Sequence, residues 1–199
     1  ALSALALLMR AGVPVVMPRK HLCCGYPLLS SGAEGNYREN LERNREALSA
    51  CIREAAEAGF RVAMSLTACG SCRDSLSRHG LALPDGSPLP QSDLVQLLAD
   101  RLPHCAVPNG QKLLYHASCH PEWSGVKAVK GGGKAARALE RLSGASITLT
   151  PGCCGESGTG AYTSPGIYNA LRERKRGRLA AVLPALTPDT PILVGCPSC

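Results

Sequence analysis

Aromatic side chains are scarce, with one Phe, one Trp and five Tyr among 199 residues. The core therefore has to be built mainly from Ala, Leu and Val. Long apolar runs are missing too. None approaches the ~18 to 20 residues that a spanning helix needs, which excludes a transmembrane helix. Residues 1–17 are apolar but lack a basic start and are broken by Arg10, Gly12 and Pro14. They are not a signal peptide and read as a helix running into a strand at Val13–Met17. The aromatic and motif signatures that accompany nucleic-acid binding are absent, so no nucleic acid is expected as a partner. Gly131-Gly-Gly-Lys134 lacks the phosphate-loop spacing and the following Ser or Thr, and reads as a flexible turn ahead of a helix over 135–142. Excess charge is modest, a formal +7, with one dense run, RERKRGR at 172–178. That run reads as a solvated helix face; an acidic partner or anionic membrane surface is the other reading.

Cysteine is plentiful. There are eleven, an odd number, in a chain whose 45% hydrophobic and 19% charged residues are those of a soluble globular protein. Without a secretion signal the thiols belong in a reducing, cytoplasmic compartment, where clustered cysteines bind metal more often than they form disulfides. The chain begins without a starting Met or a helix cap and stops at Cys199 inside a CxxC motif, which reads as an excerpt of a longer polypeptide.

The cysteines fall into an internal repeat. In the first copy Val13–Met17 leads into Cys23-Cys24-Gly25. A helix over 36–58 follows, with Tyr37, Leu41, Leu48, Ile52 and Ala55 on one face and Gly59 as its stop. A strand over 61–66 then enters Cys69-Gly-Ser-Cys72. In the second copy a strand over 146–149 enters Cys153-Cys154-Gly155. A helix with Ser164 as cap and Pro165 at its first position runs to about residue 183, and a strand over 191–194 enters Cys196-Pro-Ser-Cys199. Between CC and CxxC lie 44 residues in the first copy and 41 in the second. Cys119 follows a strand-like 112–116 and precedes Cys153 by 33 intervening residues. The expected organisation is a first module at 1–83, a linker at 84–110 with a short helix over 92–102, and a second module at 111–199. The fold class is α/β, with each module a small, mainly parallel sheet flanked by helices and its cysteine loops at the strands' C-terminal ends. The two modules are expected to pack together.

CxxC brings two thiolates to one metal centre through a tight turn, and alone it does not choose between zinc and iron-sulfur. Neighbouring residues on a strand point to opposite faces, so CC can serve one centre only from an irregular loop. Gly25 and Gly155 would supply that loop. Cys119, Cys153, Cys154, Cys196 and Cys199 are five thiols, more than the four of a closed zinc site. A second metal site is offered by Cys23, Cys24, Cys69 and Cys72. His116 and His120 flank Cys119 and read either as hydrogen-bond donors to cluster sulfur or to substrate, or as simply packed or solvated side chains. Glu156 reads as a surface carboxylate or a proton relay. Cys51 reads as a small buried hydrophobe, Cys105 as incidental, and His21 and Tyr26 have no assigned role.

These residues, with the histidine-flanked segment YHASCH at 115–120, resemble the CCG or cysteine-rich domain found in heterodisulfide reductase and in the iron-sulfur subunits of glycolate and D-lactate oxidation systems. The chain is similar to the C-terminal part of fused bacterial proteins that join a flavin-binding dehydrogenase to an iron-sulfur region. The resemblance implies an iron-sulfur cluster (4Fe-4S, non-cubane in the heterodisulfide reductase branch) on the second module's five cysteines, with zinc as the alternative in one site. It implies an oxidoreductase that relays electrons from FAD on a partner domain or subunit, oxidising a small 2-hydroxy acid, to quinone or another carrier. The flavin site would lie on the partner, because no dinucleotide fingerprint appears here. The expected place is the cytoplasm, at the inner face of the membrane as a peripheral protein. Thiol–disulfide reduction at the cluster and a zinc-bound docking module are the competing functions.

Overall fold

The computed structural model describes residues 2–102, 110–116, 128–150, 152, 154–156, 160–196 and 199. They divide into two units, Ala1–Thr67 with Cys72–Ser92, and Ala68–Ser71 with Asp93–Cys199. The architecture is α/β, helices with two small sheets.

In the first unit, helix α1 (Leu2–Arg10) buries Leu8 and ends at Gly12, whose φ of 66° turns the chain so that Val13 N–H closes on Leu8 C=O at 2.9 Å. Val13–Met17 then forms no strand, contrary to expectation. Pro14 within it and Pro18 just after it remove ladder donors, and Val15, Val16 and Met17 stay exposed. Helix α2 (Tyr26–Ser30) follows Gly25 directly. Helix α3 (Glu34–Glu57) is the long element that the periodicity predicts, and Gly59 at φ 82° ends it. Its buried stripe holds Tyr37, Ile52 and Ala55, but also Asn40 and Asn44. The strand expected over 61–66 is shorter and later: β1 (Ser65–Thr67) pairs with β2 (Gln91–Asp93). Helix α4 (Gly70–Leu76) starts directly after Cys69 and holds Cys72 in its first turn. Residues 81–89, largely within the expected linker, make a tight hairpin closed by Leu83 N–H to Ser87 C=O at 2.8 Å and Leu89 N–H to Leu81 C=O at 2.9 Å.

In the second unit, α5 (Leu94–Arg101) starts from Asp93, whose Oδ1 accepts Val95 N–H at 2.8 Å. Strand β3 (Lys112–His116) lies between β4 (Ser146–Thr150) and β5 (Ile192–Val194), both parallel to it. As the middle strand it is buried from Leu113 to His116. Helix α6 (Ala128–Ser143) links β3 to β4. It includes Gly131–Lys134, which local propensity marks as a turn. Each glycine costs a helix about 1 kcal/mol, offset here by burial of Ala135, Ala136 and Ala138. Tyr115, Ala135 and Ala138 form the core with Val95, Ala99, Ile147, Leu149 and Leu193 around them. Helices α7 (Gly160–Thr163) and α8 (Pro165–Val182) link β4 to β5. Pro165 opens α8 as expected, although Ser164 makes no side-chain capping bond. No helix of the described residues is long and apolar enough to cross a membrane.

Candidate metal centre

Register brings the ends of the three parallel strands together. His116, last in β3, is opposite Thr150, last in β4, and Val194, last in β5. The CC loop leaves from β4 and the final CxxC from β5, so both arrive at the sheet edge where His116 ends its strand. There Cys154 Sγ, Cys199 Sγ and a ring nitrogen of His116 lie within 4.8 Å of one another. Cys196 is buried, and its carbonyl accepts Cys199 N–H at 3.0 Å. A cavity of about 360 Å³ adjoins this group, lined by Cys154, Cys199, His116, Glu156, Arg172 and Lys175 among others. Glu156 is held by Tyr168, whose hydroxyl donates to Oε2 at 3.2 Å, and Arg172 stacks over the Tyr168 ring at 5.3 Å.

Gly155 sits at φ 87°, a backbone conformation that L side chains rarely adopt. A Cβ there would stand 2.8 Å from Arg172 N and 2.9 Å from Leu171 C. The close approach that demands glycine is thus to the backbone of α8, which packs directly on the cysteine loop. Gly25 repeats the device at φ 79°, with Asn40 in the space a Cβ would take.

The second module's thiols are electrostatically unequal. Cys154 is lowered to about 4, chiefly because Cys199 donates a hydrogen bond to it, with His116 and the Glu156 amide adding to the effect; that amide lies 3.4 Å from the sulfur. Cys199 is pushed up because it keeps the proton shared with Cys154 and stands beside Cys196. A cysteine-held metal centre fits these residues. Deprotonated sulfur is what a metal takes, and the buried Nε2 of His116 has no hydrogen-bond partner among the described residues.

His116 is 4% exposed and Lys175 7%. Lys175 Nζ lies 2.8 Å from His116 Nδ1, 3.2 Å from Thr150 C=O and 3.1 Å from Thr150 Oγ1. The run at 172–178 is otherwise the solvated face that the sequence suggests, with its other six residues exposed; Lys175 is the exception and points inward, on the side of α8 that meets the strand ends. Helical spacing carries the only signal that could have found it, and within a run of like charges that signal is lost.

In the first module Cys24 is lowered to about 6, mainly by a hydrogen bond from the Cys72 thiol. The CC loop is held by its carbonyls: Asn44 Nδ2 donates to Cys23 C=O at 2.7 Å, and the Ser75 hydroxyl donates to Cys24 C=O. Cys23 is exposed, and Cys69 is half-buried and counts with the second unit. Among the described residues no third ligand joins Cys24 and Cys72. Cys51 is half-buried in α3, its thiol pushed up by burial and by Glu54. Cys105, Cys119, His120 and Cys153 lie outside the described residues.

Two curated relatives match. One is a subunit of the fumarate reductase (CoM/CoB) of Methanothermobacter marburgensis, 26% identical over 204 residues, covering 100% of this chain and 37% of the relative. The other is the glycolate oxidase iron-sulfur subunit of Escherichia coli K12, 26% identical over 190 residues, covering 89% of this chain and 44% of the relative. The chain thus spans less than half the length of either. No solved structure is a significant match. The family model of the CCG cysteine-rich domain matches residues 1–77 and again 113–199. With both cysteine modules covered, the chain belongs to the CCG cysteine-rich domain family.

Proposed function

We propose that this chain is the iron-sulfur region of an oxidoreductase, made of two CCG modules at 1–83 and 111–199. It would relay electrons between an FAD-bearing partner that oxidises a small 2-hydroxy acid and quinone or another carrier. The observation that carries this reading is the convergence of Cys154, Cys199 and His116 at the parallel strand ends, in a chain whose relatives include an iron-sulfur subunit of glycolate oxidase. Cys119, Cys153, Cys154, Cys196 and Cys199 would hold the cluster, which when bound supplies one-electron transfer. The protein's own part is ligation by Cys154 as thiolate, donation to its sulfur by the Glu156 amide, and the buried charge of Lys175. The cytoplasm, at the inner face of a membrane, is the place we assign it.

A second reading, thiol–disulfide reduction at the same centre, is favoured by the open cavity beside Cys154 and Cys199 and by the match of the whole chain to the CoM/CoB fumarate reductase. The two separate in one anaerobic experiment on the complete protein with its partner. Addition of glycolate or D-lactate should reduce the cluster, read by electron paramagnetic resonance, within turnover time. A cluster that stays oxidised with 2-hydroxy acids, while its reduced form is reoxidised by a disulfide, would replace the first reading by the second.

A further inference from the structure

The helix that packs on each CC loop is itself repeated. Gly35, Tyr37, Glu42, Arg43, Arg45 and Leu48 of α3 match Gly166, Tyr168, Glu173, Arg174, Arg176 and Leu179 of α8 at identical spacing. In this alignment Asn44 corresponds to Lys175, and both are buried. Asn44 gives its amide to Cys23 C=O, to Asn40 Oδ1 at 3.1 Å and toward His79 Nε2. One inward position of the repeat thus carries a neutral amide in the first module and a cation in the second, the module that has Cys119.

Lys175 has acceptors for three ammonium protons in Thr150 C=O, Thr150 Oγ1 and His116 Nδ1. The lysine side chain offers donors and no acceptor, so His116 Nδ1, 2.8 Å from Nζ, is the acceptor of that pair. A histidine that accepts from an ammonium at Nδ1 carries its own proton on Nε2. Nε2 is the buried nitrogen with no partner among the described residues, on a ring that reaches both sulfurs.

We propose that Lys175 is a positioning residue that fixes His116 as an Nε2–H donor to the sulfur held by Cys154 and Cys199, rather than as a metal ligand. Lysine and histidine together then bring a positive charge to the centre through one hydrogen-bonded pair. A donor and a positive charge both favour the reduced form of the centre. The first module, with Asn44 in that position, lacks this bias.

The inference rests on the iron-sulfur reading for its redox consequence but not for the tautomer. Iron and sulfide analysis of the holoprotein separates the two: zinc without sulfide would overturn the reading of function, and ¹⁵N NMR of that diamagnetic protein would still report the tautomer. In the iron-loaded protein labelled with ¹⁵N-histidine, pulsed electron paramagnetic resonance should show a weakly coupled nitrogen with an exchangeable proton. A strongly coupled, directly bonded nitrogen would overturn the proposal, as would Nδ1–H in the NMR arm. Lys175→Met should make reduction at least tenfold less favourable, a fall of about 59 mV for a one-electron couple. Lys175→Arg should restore most of it, and Lys175→Met should add little in a His116→Ala background. An unchanged potential in Lys175→Met, or an equal fall with and without His116, would overturn the coupling through histidine. If Lys175→Met holds no cluster, the tautomer in wild type and the potential of Lys175→Arg decide on their own.

Discussion

His79 is 0% exposed, and its ring is held in neutral form. Nδ1 lies 3.0 Å from Ser75 C=O and Nε2 faces Asn44 Nδ2 at 3.5 Å, so the ring donates at one nitrogen and accepts at the other. Burial pushes its pKa below the ordinary 6.5; Ser75 works against the shift and Arg45 with it. Between the lowered value and 6.5 the unfolded chain takes up a proton that the folded chain refuses. The contribution is therefore full above pH 6.5 and is lost as pH falls below it. The urea midpoint should drop between pH 7.5 and 5, and more steeply in wild type than in His79→Gln. Parallel pH profiles for the two proteins would show that this buried ring does not set the acid limb. At this scale the cysteines were legible, because spacing alone pairs CC with CxxC. His116 was legible as a neighbour of Cys119 and as the end of the strand over 112–116, but not as the partner of Lys175. Asn40, Asn44 and Lys175 were not legible. A polar residue on an apolar stripe reads as noise until its partner is known, and Asn44 finds Cys23 21 residues away and Lys175 finds His116 59 residues away.

Among the elements, the junction of CC loop and helix is the most constrained. Gly155→Ala places a side chain at positive φ, which costs about 1–2 kcal/mol, and drives it against the Leu171–Arg172 backbone. Gly166, also on α8, has open space where its Cβ would be and no positive φ. Gly166→Ala should leave stability unchanged or raise it by about 0.5–1 kcal/mol, while Gly155→Ala should lower it by at least about 1–2 kcal/mol and loosen iron binding. Equal midpoints in chemical denaturation would contradict the close packing of α8 on the loop. The helices α3 and α8 were readable from periodicity, Gly59 and Pro165, and β3 from its apolar run. Val13–Met17 misled because a β-branched run needs a pairing partner, and β1 pairs with 91–93 instead. The 131–134 glycines misled because local propensity was overridden by the alanine face that follows them.

For the whole molecule, the two modules are alike in order and unequal in ligands. The second has Cys119 as a fifth thiol, and among the described residues the His116 ring joins Cys154 and Cys199, whereas no third group joins Cys24 and Cys72 of the first. Metal binding is linked to ordering of its own loops, so Cys196→Ser and Cys199→Ser should cost more iron than Cys69→Ser and Cys72→Ser. Equal losses in both pairs would mean two occupied sites or one shared site. Beneath this comparison lies the nature of the centre itself, and it is read most directly by iron, acid-labile sulfide and zinc analysis of the anaerobically purified protein. An iron-sulfur electron relay requires a brown protein with iron and sulfide in comparable amounts and little zinc. A colourless protein carrying zinc and no sulfide would contradict it.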